Sequence, residues 1–143
     1  MSDPFFDFFM LCLKNNEEKV FSFLEKENPK LNVCEICAFI RGGTNTNILS
    51  RVIEEENSQF FETAVMANRI DVFYFLRQRY PNFKLDCIIR QLFFQAFVEN
   101  ENWEMTKTLE DCGFPLRENL CATFLMQDGG DKFKRYYLSR HQT

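Results

Sequence analysis

Apolar residues along this chain recur at intervals of three and four, and polar or turn-forming residues interrupt them at regular distances. That spacing belongs to short amphipathic helices, not to strands. One register returns five times: a small or apolar residue, three spacers, then a residue that tolerates a helix break. It joins Cys12 to Asn16, Ala38 to Gly42, Ala64 to Asn68, Phe97 to Glu101 and Leu125 to Gly129. Beyond each pair lies an apolar run: Val20/Phe23/Leu24, Leu49/Val52/Ile53, Val72/Phe75/Leu76, Met105/Thr108/Leu109 and Phe133/Tyr136/Tyr137. The steps between starts are 26, 26, 33 and 28 residues. Self-similarity of this length marks stacked two-helix units, so the pattern predicts an all-α solenoid of about five helix-turn-helix units. The units fall at approximately 3–31, 32–57, 58–83, 90–116 and 117–140, and no linker divides them, so a single domain over 1–143 is expected.

The helix boundaries follow from local chemistry. Asp3-Pro4 suits a helix start, because Asp accepts otherwise unbonded N–H groups and Pro at the first position lacks an N–H that would go unused. Phe5, Phe8, Phe9, Cys12 and Leu13 share one face, Asn15-Asn16 turns the chain, and a second helix over 17–26 buries Val20, Phe23 and Leu24 before Pro29 prevents continuation. The third unit repeats this: Phe60-Phe61 matches Phe8-Phe9, and Pro81 stands 52 residues after Pro29. A fourth is offset by 33, with Phe93-Phe94 matching Phe60-Phe61 and a closing stretch at Cys112-Gly113-Phe114-Pro115. The second unit needs a longer polar loop over 43–47 before a helix at 48–56, and the fifth has Gly129-Gly130 before a short helix near 132–138.

The stretch AVMANRIDVFYFL, residues 64–76, resembles the core of an ankyrin repeat. The resemblance implies that Asn68 takes the left-handed position of the family's Gly. Asp71-Val72 then opens the second helix, and Phe75-Leu76 replaces its buried Leu pair. The Thr-Pro-Leu-His opening of that family is absent from every unit. Divergent, Phe- and Cys-rich units are similar in style to ankyrin-related proteins of large DNA viruses and other intracellular parasites, which implies an adaptor or inhibitor with a host-interaction role. Recognition by the first helices and the turns would place partner contacts at Lys14, Asn15, Arg41, Met66, Ala67, Glu99 and Asn100.

Composition narrows the function classes. The chain has 143 residues, 45% of them hydrophobic and 27% charged, with 18 Phe and a net charge of −4. Such a balance describes a folded domain with a Phe-filled core, and it disfavours nucleic acid and acidic membranes as partners. The lone RGG at 41–43 reads as a turn, since RNA-binding segments of that type work in many copies. Asp3 and Asp7 interrupt the first apolar run, so no secretory leader is expected. No stretch approaches the ~20 apolar residues that span a bilayer. Six Cys without a leader read as reduced thiols of a cytoplasmic or nuclear protein.

Cys34 and Cys37 form the one motif with chemical potential. A zinc site needs a second ligand pair, but the other Cys are isolated and the sole His is His141, so core packing is the preferred reading for both thiols. No nucleophile set can be assembled around that His, and no Gly-rich phosphate loop is present, so no catalysis, metal or cofactor is expected. Glu54-Glu55-Glu56 reads as a helix end and solvated loop edge, with a contribution to a partner surface as its alternative. Trp103 reads as packing between units, with an interface anchor as the alternative. Two other readings stay open: a compact Bcl-2-like bundle that captures an amphipathic helix in a groove, and a thiol or zinc protein built on Cys34 and Cys37. Self-association through Phe-rich end units is a further expectation.

Overall fold

Eight α-helices form among the residues that the computed structural model describes, which are 4–85, 87–93, 95–96 and 103–113. They are α1 Pro4–Leu13, α2 Glu17–Lys26, α3 Val33–Gly42, α4 Thr46–Val52, α5 Ser58–Met66, α6 Ile70–Arg79, α7 Ile89–Phe93 and α8 Trp103–Asp111. No strand occurs among the described residues, in line with the helical spacing of the apolar positions. The chain divides into two compact units, Met1–Phe83 and Lys84–Thr143.

Asparagine starts four consecutive helices in the first unit. Asn16, Asn32, Asn45 and Asn57 each accept a hydrogen bond from a backbone N–H in the first turn of α2, α3, α4 and α5. At α3 the arrangement is reciprocal: Asn32 Oδ1 accepts from the Glu35 N–H at 2.8 Å while Glu35 Oε1 accepts from the Asn32 N–H at 3.0 Å. Such caps are each worth about 1 kcal/mol. The helix starting at Asn45 begins earlier than the polar stretch 43–47 suggests, because the Asn45 side chain takes the Ile48 N–H at 2.9 Å. That helix also ends sooner than expected, at Val52, so Glu54, Glu55 and Glu56 lie in a loop and not on a helix end.

Three helix ends are built alike. Asn15 (φ 58°), Gly43 (φ 93°) and Asn68 (φ 56°) are left-handed. In each case the next residue donates its N–H back five positions: Asn16 to Leu11, Thr44 to Phe39 and Arg69 to Ala64. The left-handed residue itself bonds three positions back, to Cys12, Ile40 and Val65. This pair of bonds is the Schellman closure, which satisfies carbonyls that a helix end leaves open. Asn68 holds the left-handed position expected of it. The other two breaks fall at Asn15 and Gly43, one residue from Asn16 and Gly42. The matching residues are therefore 28 and 25 apart, not evenly spaced.

Within the first unit the helices touch in pairs, α1 with α2, α3 with α4 and α5 with α6. The first members also touch in order, α1 to α3 to α5, as do the second members, α2 to α4 to α6. Phe8 stacks on Phe23 within the first pair at 4.6 Å between ring centres, and Phe9 meets Phe39 across to the second at 4.7 Å. Phe61 contacts Phe73 at 5.7 Å and Phe83 at 5.1 Å in the third. Geometries of this kind add about 0.5–1.5 kcal/mol each to the burial itself. Gly42 packs against Leu13 across α1 and α3, and a Cβ there would lie 2.6 Å from Leu13 Cδ2, so that side chain would have to shift. In α6 the sealed residues are Val72, Phe73 and Leu76, whereas Phe75 is only half-buried. The buried pair thus follows the i, i+4 stripe from Val72 to Leu76 and does not fall on Phe75-Leu76.

The second unit buries Leu85, Ile89, Leu92, Phe93 and Ala96, and along α8 it buries Met105 and Leu109. Phe93, the match of Phe60, is buried as Phe60 is, and Phe94 lies outside the described residues. Gly113 (φ 98°) closes α8, at the expected stretch. The expected turn at Phe97 and Glu101 and the whole fifth unit lie outside the described residues.

Candidate functional site

The three turns that close α1, α3 and α5 form one connected edge. Asn15 in the first turn donates from Nδ2 to the Gly43 carbonyl at 3.1 Å and accepts the Asn45 N–H on Oδ1 at 2.7 Å. The buried Thr44 hydroxyl donates to the Cys12 carbonyl at 3.1 Å. Arg69, in the third turn, donates from one guanidinium nitrogen to the carbonyls of Thr44 at 2.7 Å and Ile40 at 3.2 Å. Glu17 accepts from both Asn45 Nδ2 at 2.9 Å and Asn47 Nδ2 at 3.1 Å. Each turn is thus fastened to its neighbour through side chains that reach backbone groups, which fixes the spacing of whatever the edge presents.

Lys14 and Arg41 are exposed on this edge, and Met66 is 55% exposed at the end of α5. Along the row the two cations come first and the exposed Met last, so the edge offers both charge and apolar contact. Asn15 is also exposed, but both ends of its amide are committed to the second turn. Ala67 is half-buried and caps α5. Glu99 and Asn100 lie outside the described residues. The structure therefore brings Lys14, Asn15, Arg41, Met66 and Ala67 to one end of a row of helices. Arg69 and Asn45, which hold that edge together, were not signalled by periodicity. A cation directly after a left-handed Asn and directly before an acidic helix start is the pattern that could have marked Arg69.

Arg69 also pairs with Asp71 at 2.9 Å. Partial burial raises the Asp71 carboxyl, but the Arg69 hydrogen bond and charge, with the N–H groups of Val72 and Asp71, outweigh it and hold the group below its ordinary value.

The thiols divide by position. Cys12 is fully buried, and burial pushes its thiol up to about 12. Cys37 is buried against α5 with its Sγ 3.8 Å from the Gln59 carbonyl. Cys34 is exposed in the first turn of α3, so the core-packing expectation holds for Cys37 and fails for Cys34. The reason is angular: the packing stripe runs through Ile36, Cys37 and Ile40, and a residue three before Cys37 at the helix start falls off its edge. Among the described residues no three His, Cys, Asp or Glu side chains gather as a metal site. No helix among them is long and apolar enough to cross a membrane.

At the opposite end of the same helices, loops 27–32 and 53–57 flank an open slot of about 190 Å³. Its floor is Val33, Ile36, Val52 and Phe60, and Glu54, Glu55 and Glu56 stand along one lip. Set beside known proteins, the chain matches no family model, no curated protein and no solved structure.

Proposed function

We propose that this chain is a non-catalytic protein-binding module, an adaptor or inhibitor, whose helix pairs are ankyrin-like units in a short solenoid of about five. The observation that carries the reading is the edge of fastened turns, which holds exposed Lys14, Arg41 and Met66 in fixed order along α1, α3 and α5. Polar side chains there are used to lock neighbouring turns together, as a recognition surface requires if it is to be pre-ordered before its partner arrives. The three matching helix closures support the repeat, and reduced Cys12, Cys34, Cys37 and Cys87 suit a cytoplasmic or nuclear setting. A host protein as partner accords with the divergent character of the units.

The test is affinity purification of the tagged chain from cells, comparing wild type with Lys14→Glu/Arg41→Glu/Met66→Glu. Circular dichroism on the purified variant should match wild type, because all three side chains are exposed. A protein recovered with wild type and depleted about tenfold or more with the variant, a loss of ~1.4 kcal/mol, supports the reading. Recovery of the same proteins in equal amount refutes the edge as the site.

A further inference from the structure

The first unit has a well-buried apolar centre. Its buried apolar residues are at 0% exposure except four: Ile36 at 5%, Cys37 at 5%, Val52 at 7% and Phe60 at 3%. Three of those four form the floor of the slot between loops 27–32 and 53–57. These three slightly open core residues thus meet at one concave place. A volume of about 190 Å³ admits a single large apolar side chain, and burying one there returns roughly 1.5–3 kcal/mol.

The lip decides what accompanies that side chain. Glu54, Glu55 and Glu56 are exposed, and among the described residues no ion pair engages them. Lys30 stands on the slot as the one cation of its lining, against three carboxylates, and the whole chain carries −4. An acidic ligand would meet like charge, whereas Lys or Arg on either side of an apolar anchor would meet the opposite sign. Because Val52 ends α4 and the three Glu follow within the same short loop, one extended segment can reach the floor and the lip together.

We propose that this slot is a docking site for a peptide segment of a partner protein in which one large apolar side chain is flanked by Lys or Arg. The slot lies at the start of α3, away from the turn that ends it, so the inference stands whether or not the turn edge binds.

The test uses the full chain, immobilised, in a display selection with random short peptides, followed by fluorescence anisotropy on an enriched peptide. Enriched sequences are expected to share an apolar residue flanked by Lys or Arg. Glu54→Gln/Glu55→Gln/Glu56→Gln should weaken such a peptide about tenfold, as three modest rim pairs would, and raising salt should weaken it in wild type but little in the variant. Val33→Phe, which narrows the slot, should reduce binding with the Glu side chains intact. No enrichment, or enrichment of acidic peptides, overturns the proposal. So does a peptide insensitive to the triple Gln variant, whose surface changes leave folding untouched. A peptide lost only with Lys14→Glu/Arg41→Glu/Met66→Glu would support the turn edge and overturn the slot. A dimer in sedimentation that the Gln variant dissolves would assign the slot to a second copy of this chain and overturn it too.

Discussion

Replacing Arg69 should disconnect the second and third turns. Its guanidinium donates to the Thr44 and Ile40 carbonyls at 2.7 and 3.2 Å, and its side chain is only 15% exposed. Arg69→Met keeps most of the aliphatic stem and removes both bonds. Hydrogen bonds from charged donors contribute about 1.5–3 kcal/mol each, and partial rehydration of the freed carbonyls brings the expected loss to about 3 kcal/mol. Asp71, by contrast, holds its end of the ion pair in solvent, where such pairs contribute about 0–1 kcal/mol. Asp71→Asn should therefore cost less than about 1 kcal/mol, and Arg69→Lys should fall between, since an ammonium can still donate to the carbonyls but lacks the planar fork that also holds Asp71. Urea denaturation followed by circular dichroism reads the difference: with a slope near 2 kcal/mol/M, the Arg69→Met midpoint drops by about 1.5 M. The Asp71 carboxyl is held below its ordinary 3.8, so its contribution is complete above that value and lost as pH falls beneath it. Arg69→Met should flatten that acid limb. A loss within about 0.5 kcal/mol for Arg69→Met, or an equal loss for Asp71→Asn, would refute the claim that the carbonyl bonds carry the effect.

Asn15 tests the other fastening: Asn15→Gly keeps the left-handed turn but loses two bonds, at about 1–2 kcal/mol, and Asn15→Ala adds backbone strain of about 1 kcal/mol, an order that urea titration should reproduce. Phe61→Ala, which opens a cavity against Phe73 and Phe83, should cost about 3–5 kcal/mol, while Phe6→Ser, at a site 58% exposed, should stay within about 0.5 kcal/mol in thermal melts. The Cys12 thiol, raised from 9.0 to about 12, stays neutral in the fold after it ionises in the unfolded chain. Its stability contribution is complete below 9.0 and lost as pH rises toward 12, at up to about 1.4 kcal/mol per pH unit, a slope that Cys12→Ala should lack. Timed alkylation at neutral pH with peptide mapping should label Cys34 and Cys87 first, with Cys12 and Cys37 modified only on unfolding.

The helices of the first unit were legible because their signals are local. The three-residue connection between α1 and α2 sits at the Asn15-Asn16 signal, and α2 ends ahead of Pro29. Asn68 is left-handed as its place in the ankyrin-like stretch implies. What periodicity misplaced was register. The first two breaks fall one residue away from Asn16 and Gly42, in opposite directions, because a Schellman closure is fixed by which carbonyl needs a donor, not by which residue looks small. The helix expected over 48–56 stops at Val52, and Glu54, Glu55 and Glu56 are exposed beyond it, with no apolar residue among them to bury a further turn. Most of the turn edge was legible, and the slot was not. Its floor comes from α3, α4 and α5 together, and only packing shows that Ile36, Val52 and Phe60 converge.

The side-chain bonds between turns run through Asn15, Thr44 and Arg69 at one margin, and away from it Cys37 reaches the Gln59 carbonyl and Arg79 the Ser50 carbonyl, while among the described residues loops 27–32 and 53–57 share none. From helix start to left-handed residue, Val33 to Gly43 and Ser58 to Asn68 keep the same length, whereas α2 has 10 residues and α4 has 7. The row is therefore bound like a book, stitched most densely along its spine and more sparingly toward the fore-edge. Residues gained or lost along the fore-edge do not propagate an error to the next leaf, because alignment is set again at every stitch. A chain so built can alter the shape between its loops while its spine keeps count.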